Sequence, residues 1–392
     1  MLPRDLHPPH EPVASRRSQS PAHRALASPE LAGSGQARRR LLRVLASIGC
    51  VPLAASVAGC TSVLTSAGAR FDAAELSANP TLLVATTRKS VNGARAKPWY
   101  GPERAGKLNI ARAKLTPPGD GRFTLNAIGL DDWRLDAVEP ATQIGELYAE
   151  PGATRDVLIY VHGFNNTFES AALDAARISD GIRFRGETMV FSWPSKAKLF
   201  DYGYDRESAM WSRDALEQVL AGLMASPITG RIHIVAHSIG TMLTMEALRQ
   251  IYARAGSAAT PTAGLRASGN LMSDQTPAGR GLVERIGAVV FASPDIDLDG
   301  FTSSVARIGP LVSKITVVTA TNDRALAVSG FLAGGMTRVG AAEKAELTRL
   351  GLHVIDASAQ GWGLINHDLF LSNAKVRQVI RRAIDGRPVD GA

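Results

Sequence analysis

From about Asp156 to the C-terminal region, short apolar runs alternate with amphipathic stretches. Val157–His162 is a continuous apolar run, the pattern of a parallel strand covered on both faces. Phe168–Ile178 then repeats apolar residues at helical spacing. The alternation continues with a strand at Thr188–Ser192, a helix at Arg206–Leu223, a strand at Arg231–Ala236 and a helix at Thr241–Ala253. Ile286–Ala292, Ile315–Thr319 and Leu352–Ile355 predict three more strands, and Lys375–Ile384 a closing helix. Ahead of this block, Thr81–Thr87 reads as a first strand. Lys97–Gly121 reads as Pro/Gly/Lys-rich loops around a short strand at Leu108–Lys114, and 255–280 as a small-residue loop. Strands and helices in this order predict an α/β domain over 81–385, a doubly wound, mostly parallel sheet with helices on both faces.

The formal charge of +8 suggests nucleic acid until it is located. Residues 1–59 hold eight arginines against Asp5, Glu11 and Glu30, which is +5 of the total. The remainder carries +3, without a basic run interleaved with aromatics after residue 60, so no nucleic-acid partner is expected. Arg38-Arg39-Arg40 precedes an apolar stretch that ends at Val57-Ala58-Gly59-Cys60. A positive region, a short apolar core and small residues before a cut site make a secretory signal. The last four residues resemble the lipobox of bacterial lipoproteins, which implies acylation of Cys60 and removal of 1–59. Residues 1–36 read as a disordered extension and 60–80 as a tether. The expected location is the bacterial cell envelope, anchored by lipid on the periplasmic face. Thr61 after the cysteine, in place of aspartate, points to the outer membrane. Cys50 and Cys60 match no metal-ligand spacing.

Candidate chemistry centres on Ile232-His233-Ile234-Val235-Ala236-His237-Ser238-Ile239-Gly240. A strand runs into a serine between small residues, and a helix follows, which is what a nucleophile elbow requires. Ala236 stands where glycine is usual, and its methyl disfavours positive φ. A serine at a helix start also serves as a plain cap. Ser238 as nucleophile needs a base that an acid orients. His367, in a loop after the last strand, is the histidine in the right place for the order Ser, acid, His. Asp323, ending the strand Ile315–Thr319, is the best acid, and Asp295 in the cluster Asp295, Asp297, Asp299 competes with it. That cluster also suits turn and cap chemistry or a pocket wall, and it lacks the histidines of a metal site. Val161-His162-Gly163-Phe164 ends another strand, and Gly163 would let its loop approach the elbow. The Phe164 and Ile239 N–H groups are then the expected oxyanion donors. Gly330–Met336 reads either as a mobile lid or as an ordinary connection.

Taken together, Tyr160–Asn165, Phe191–Ser195, Ala236–Gly240, Pro294–Asp297 and Asn322–Leu326 resemble the α/β-hydrolase superfamily. The resemblance spans about 81 to 385 and is greatest to an uncharacterised bacterial branch of esterase/lipase type. It implies Ser238 as nucleophile, Asp323 as acid and His367 as base. The expected function is a cofactor-free, metal-free serine hydrolase that cuts a small or lipid-like ester, or an amide, through an acyl-enzyme. Two other readings use the same residues. One is a catalytically silent envelope lipoprotein that binds or scaffolds, and the other is an acyltransferase that uses an alcohol in place of water.

Overall fold

The computed structural model describes residues 81–118, 132–141, 154–257, 281, 284–360 and 367–389. Nine strands form one sheet: β1 (Thr81–Ser90), β2 (Tyr100–Thr116), β3 (Arg134–Ala141), β4 (Arg155–Val161), β5 (Glu187–Ser192), β6 (Thr229–His237), β7 (Ile286–Ala292), β8 (Ile315–Thr319) and β9 (His353–Asp356). Their order is β3-β2-β1-β5-β4-β6-β7-β8-β9. β2 and β3 are antiparallel, and the strands from β1 through β9 across the sheet run parallel. This is the expected α/β architecture. The lipidation site expected at Cys60, the signal segment and the tether lie outside the described residues. No helix among the described residues is long and apolar enough to cross a membrane.

The continuous apolar runs have a simple cause. Successive side chains of a strand face opposite ways, and here both faces are covered. Ile159, Ile234, Phe291 and Val317 join one core with the helices α3 (Arg213–Ala225) and α4 (Ile239–Ser257). Leu158, Tyr160, Val235, Val290 and Val318 join the other, with α1 (Phe168–Gly181) and α9 (Ala374–Ile384). In α9, Val376, Val379 and Ile380 at helical spacing are buried, while Arg381 and Arg382 close the last turn.

Two regions differ from expectation. The helix predicted over Arg206–Leu223 is two helices, α2 (Tyr202–Trp211) and α3, broken at Ser212. Ser212 Oγ bonds the carbonyl of Ser208 at 2.8 Å and meets Thr87 Oγ1 at 2.8 Å. Back-bonding of this kind bends helices, and the contact to β1 fixes the bend. The short strand predicted at Leu108–Lys114 is a 17-residue strand, β2. Its first half pairs only with β1, across register shifts, and β3 joins from Ile110 onward. Pro102 and Gly106 sit in that half, where a ladder bonded on one side tolerates them.

Candidate active site

The loops that follow β4, β6, β7 and β8 meet at the carboxyl end of the sheet. Ser238 closes β6 with φ 51°. A non-glycine residue there costs on the order of 1–3 kcal/mol, and it persists only when its surroundings hold it. They do so from β7 and the turn beyond it. Ser238 N donates to Ala292 O at 3.0 Å, and Ser238 O accepts from Thr241 N, Thr241 Oγ1 and Asp295 N at 3.0, 2.6 and 3.3 Å. The positive φ falls on the serine, while Ala236 is a paired residue of β6. Alanine in place of glycine is therefore free of the penalty expected for it. Gly240 is not replaceable in the same way. A Cβ there would lie 2.4 Å from His162 O and 2.8 Å from Val161 O.

Gly163 brings the β4 loop against the elbow as expected, since a Cβ on it would sit 2.8 Å from the Ser238 Cβ. The Asn165 and Asn166 N–H groups of this loop are committed to Asp205 Oδ2 (3.2 Å) and Ser195 Oγ (3.1 Å). Phe164 N–H is bonded to none of the described residues. Ile239 N–H heads α4, where unpaired amide groups favour negative charge.

His367 and Asp323 are in direct contact, with Nδ1 2.7 Å from Oδ2. The same carboxylate caps α6 (Arg324–Leu332), its Oδ1 accepting from Ala325 N at 2.9 Å and Leu326 N at 3.1 Å. Burial draws the His367 pKa down, but the Asp323 charge and hydrogen bond, with Asp295 and Asp368 behind them, leave it raised above the ordinary value. His237 ties this ring to the elbow. Its ring packs 4.7 Å from the His367 ring, and its Nε2 meets His367 O at 3.1 Å. Burial first, then the His367 charge, hold the pKa of His237 well down, so it is neutral and able to donate.

Asp295 has different partners. It accepts from Tyr202 Oη at 2.8 Å and Ser329 Oγ at 2.6 Å, and Arg338 Nε lies 3.2 Å away. Asp297 caps α5 (Leu298–Val305) through Gly300 N at 2.8 Å. The two acids thus divide between a wall beside the elbow and cap chemistry.

Two structural groups were hidden in the sequence. His162 is buried and stacks on Trp193 at 4.6 Å. Its Nε2 meets Trp193 N at 3.1 Å and Trp193 O at 3.0 Å, and its Nδ1 meets Gly163 O at 2.9 Å. Burial, then the Arg88 charge, lowers its pKa to about 3. His162 is a fixed neutral strut, and Trp193 is wholly buried packing. The second group is Arg88, 1% exposed at the end of β1. It donates to Ser192 Oγ (2.8 Å), Ser195 O (3.0 Å) and Asn166 O (2.7 Å). Asp205 completes this network, accepting from Ser195 Oγ at 2.5 Å and Lys196 N at 2.8 Å. Burial lowers the Arg88 pKa to about 10, partly offset by Asp205, so the guanidinium stays charged. The only trace in the sequence is an arginine that ends an otherwise apolar and threonine run.

Residues 142–383 match the family described as alpha/beta hydrolase of unknown function (DUF900), and the chain belongs to that family. An uncharacterised protein of Nostoc sp. (strain PCC 7120) is 24% identical over 124 residues, covering 25% of this chain and 32% of that one. The chain thus spans about a third of the length of the curated relative it matches. Among solved structures, the catalytic core domain of acetyl xylan esterase from Trichoderma reesei is 13% identical with a TM-score of 0.32, covering 60% of this chain and 100% of that one. A predicted CIB-like hydrolase from Thermoplasma acidophilum is 12% identical with a TM-score of 0.31, covering 61% and 88%.

The Arg88 network makes a prediction. Arg88→Met leaves the buried Asp205 without its countercharge and should destabilise the fold by about 3–5 kcal/mol. Adding Asp205→Asn should recover part of that loss. Urea denaturation of the two variants checks both statements.

Proposed function

We propose that this chain is a serine hydrolase that cleaves carboxylic esters through an acyl-enzyme. The observation that carries the proposal is the Asp323–His367 contact beside an elbow whose serine is held at positive φ. Asp323 occupies Nδ1 of His367 and leaves Nε2 to accept the Ser238 proton. Ser238 Oγ bonds the carbonyl carbon, and the Phe164 and Ile239 N–H groups stabilise the oxyanion. His367 passes the proton to the leaving alcohol. It then deprotonates the water that releases the acid and regenerates Ser238.

The rim favours an apolar acyl group. Leu199 and Phe200 are exposed just before Tyr202, and Val328, Phe331, Leu332 and Met336 are exposed on α6 and the turn after it. Tyr202 Oη meets Ser329 Oγ at 2.8 Å, which joins the two segments next to Asp295 and the elbow. The sequence offered Gly330–Met336 as lid or connection. It is the end of α6 followed by a turn in which Gly334 and Gly335 take φ 81° and 87°.

A fluorophosphonate probe should label the wild-type protein and not Ser238→Ala, and p-nitrophenyl esters should be cut faster as the acyl chain lengthens. Equal labelling of both proteins ends the enzyme reading in favour of a silent binding module. A preference for acetate removes the acyl role of the rim.

The raised His367 pKa gives a signed prediction. The base works when neutral, so activity should fall as pH drops through a value above about 6.5, the ordinary histidine value. Asp323→Asn removes the charge that raises it, so the acid limb should move to lower pH while turnover falls by roughly 10⁴. Asp295→Asn should lose far less. The pH–rate profiles of the two variants test the assignment, and the reverse ranking would transfer the acid to Asp295.

We also propose that the enzyme works in the cell envelope, anchored through lipid on Cys60. The support is the sequence alone, a positive region and apolar core ending in Val57-Ala58-Gly59-Cys60. Cys60→Ser should abolish labelling by radioactive palmitate and leave the precursor uncut. Maturation and membrane retention of that variant would show a different anchor.

A further inference from the structure

α6 is apolar on both sides. Leu326, Ser329 and Gly330 are buried, while Ala327, Val328, Phe331 and Leu332 face solvent. From Ala325 to Thr337 the chain has no charged residue. A helix that is hydrophobic all round belongs inside something. Beside it the turn Leu199–Asp201 exposes Leu199 and Phe200. Six of the seven large apolar side chains exposed among the described residues lie on these two segments. They are therefore gathered rather than scattered, which marks an interaction surface.

The two segments are held as one body. Tyr202 Oη meets Ser329 Oγ at 2.8 Å, and both side chains bond the Asp295 carboxylate. After α6 the chain folds back through Gly334 N to Phe331 O at 3.1 Å and Gly335 N to Gly330 O at 2.9 Å. The apolar side chains are thus presented outward by a built support.

Their exposure and the charges beside them favour one kind of occupant. Phe200 is 97% exposed and Phe331 71% exposed. A side chain that stands so far out is covered only by a medium that closes round it on every side, as fluid acyl chains do. Residues 196–200 and 324–336 carry Lys196, Lys198 and Arg324 and no acid. Asp201, next along the chain, is taken by Lys196 at 3.0 Å. Lys198 and Arg324 are exposed and have no ion pair among the described residues. Cations on long apolar stems at the edge of an apolar patch suit anionic headgroups. No helix among the described residues can span a bilayer, so such a contact lies in the interface.

We infer that Leu199, Phe200 and the outer face of α6 form a docking surface for an anionic phospholipid bilayer, with Lys198 and Arg324 at the headgroups. This is a contact of the folded domain, separate from any anchor on Cys60. Its consequence for substrate, an ester held in the bilayer, rests on the hydrolase reading, while the docking needs no reaction.

A fluorescent reporter tests the contact locally. In the full chain carrying Cys50→Ser, Cys60→Ser and Ser238→Ala, a nitrobenzoxadiazole label is placed through Phe200→Cys, Phe331→Cys or Arg185→Cys. Arg185 is exposed just before β5, at the other end of the sheet. With vesicles of phosphatidylcholine and phosphatidylglycerol, the label at 200 and at 331 should brighten and shift to the blue, and the label at 185 should not. Adding Lys198→Ala/Arg324→Ala should raise the lipid concentration at the midpoint by about tenfold or more. Equal shifts at all three positions, or none at 200 and 331, overturn the docking surface. Shifts at 200 and 331 that need no vesicles and grow with protein concentration assign the face to a second copy and also overturn it. A midpoint left in place by Lys198→Ala/Arg324→Ala overturns the part given to the cations. Because the serine is absent throughout, a failed hydrolase reading leaves these outcomes unchanged.

Discussion

The backbone of Ser238 is the constraint around which the rest is arranged. Its positive φ is unfavourable alone, and it is held by bonds to Ala292, Thr241 and Asp295. Those partners belong to β7, to the helix after the elbow and to the loop after β7. The turn is also closed from the side by the β4 loop, which comes near enough to exclude a Cβ at both Gly163 and Gly240. Strain at one residue is thus shared by three strands, and each loop that supplies a site residue is also a support for the elbow.

Electrostatics divides the buried histidines by duty. His162 and His237 are kept neutral by burial and neighbouring positive charge, and each spends a ring N–H on a backbone carbonyl. His367 is as buried, yet three carboxylates raise its proton affinity. The same residue type is a strut in two places and titrates upward in the third. The cause is the sign of the nearest charge, not depth.

Much of this was legible in the sequence because the parallel strands are buried on both faces. A strand such as Ile286–Ala292 or Ile315–Thr319 then reads as an unbroken apolar run, and the structure places both at those residues. Asp323 and His367 could be chosen by chain order, since each follows a strand beyond the elbow, and the structure brings them into contact. What could not be read depends on pairing at a distance. β3 and the first half of β2 are stabilised by antiparallel neighbours rather than by an apolar pattern of their own. The Arg88–Ser195–Asp205 network joins β1 to residues more than a hundred positions later, so local composition shows only the arginine that ends the β1 run. The break at Ser212 was hidden because a serine in a helical pattern reads as an ordinary exposed residue until Thr87 is placed against it.

The two oxygens of Asp323 have a mechanical consequence. One holds the His367 ring and the other starts α6, the helix that carries Val328, Phe331 and Leu332 outward. That helix cannot swing about its first turn without carrying the carboxylate with it. The apolar rim and the histidine are therefore geared to one another, and an extra methylene at position 323 would leave one end of the gear slipping.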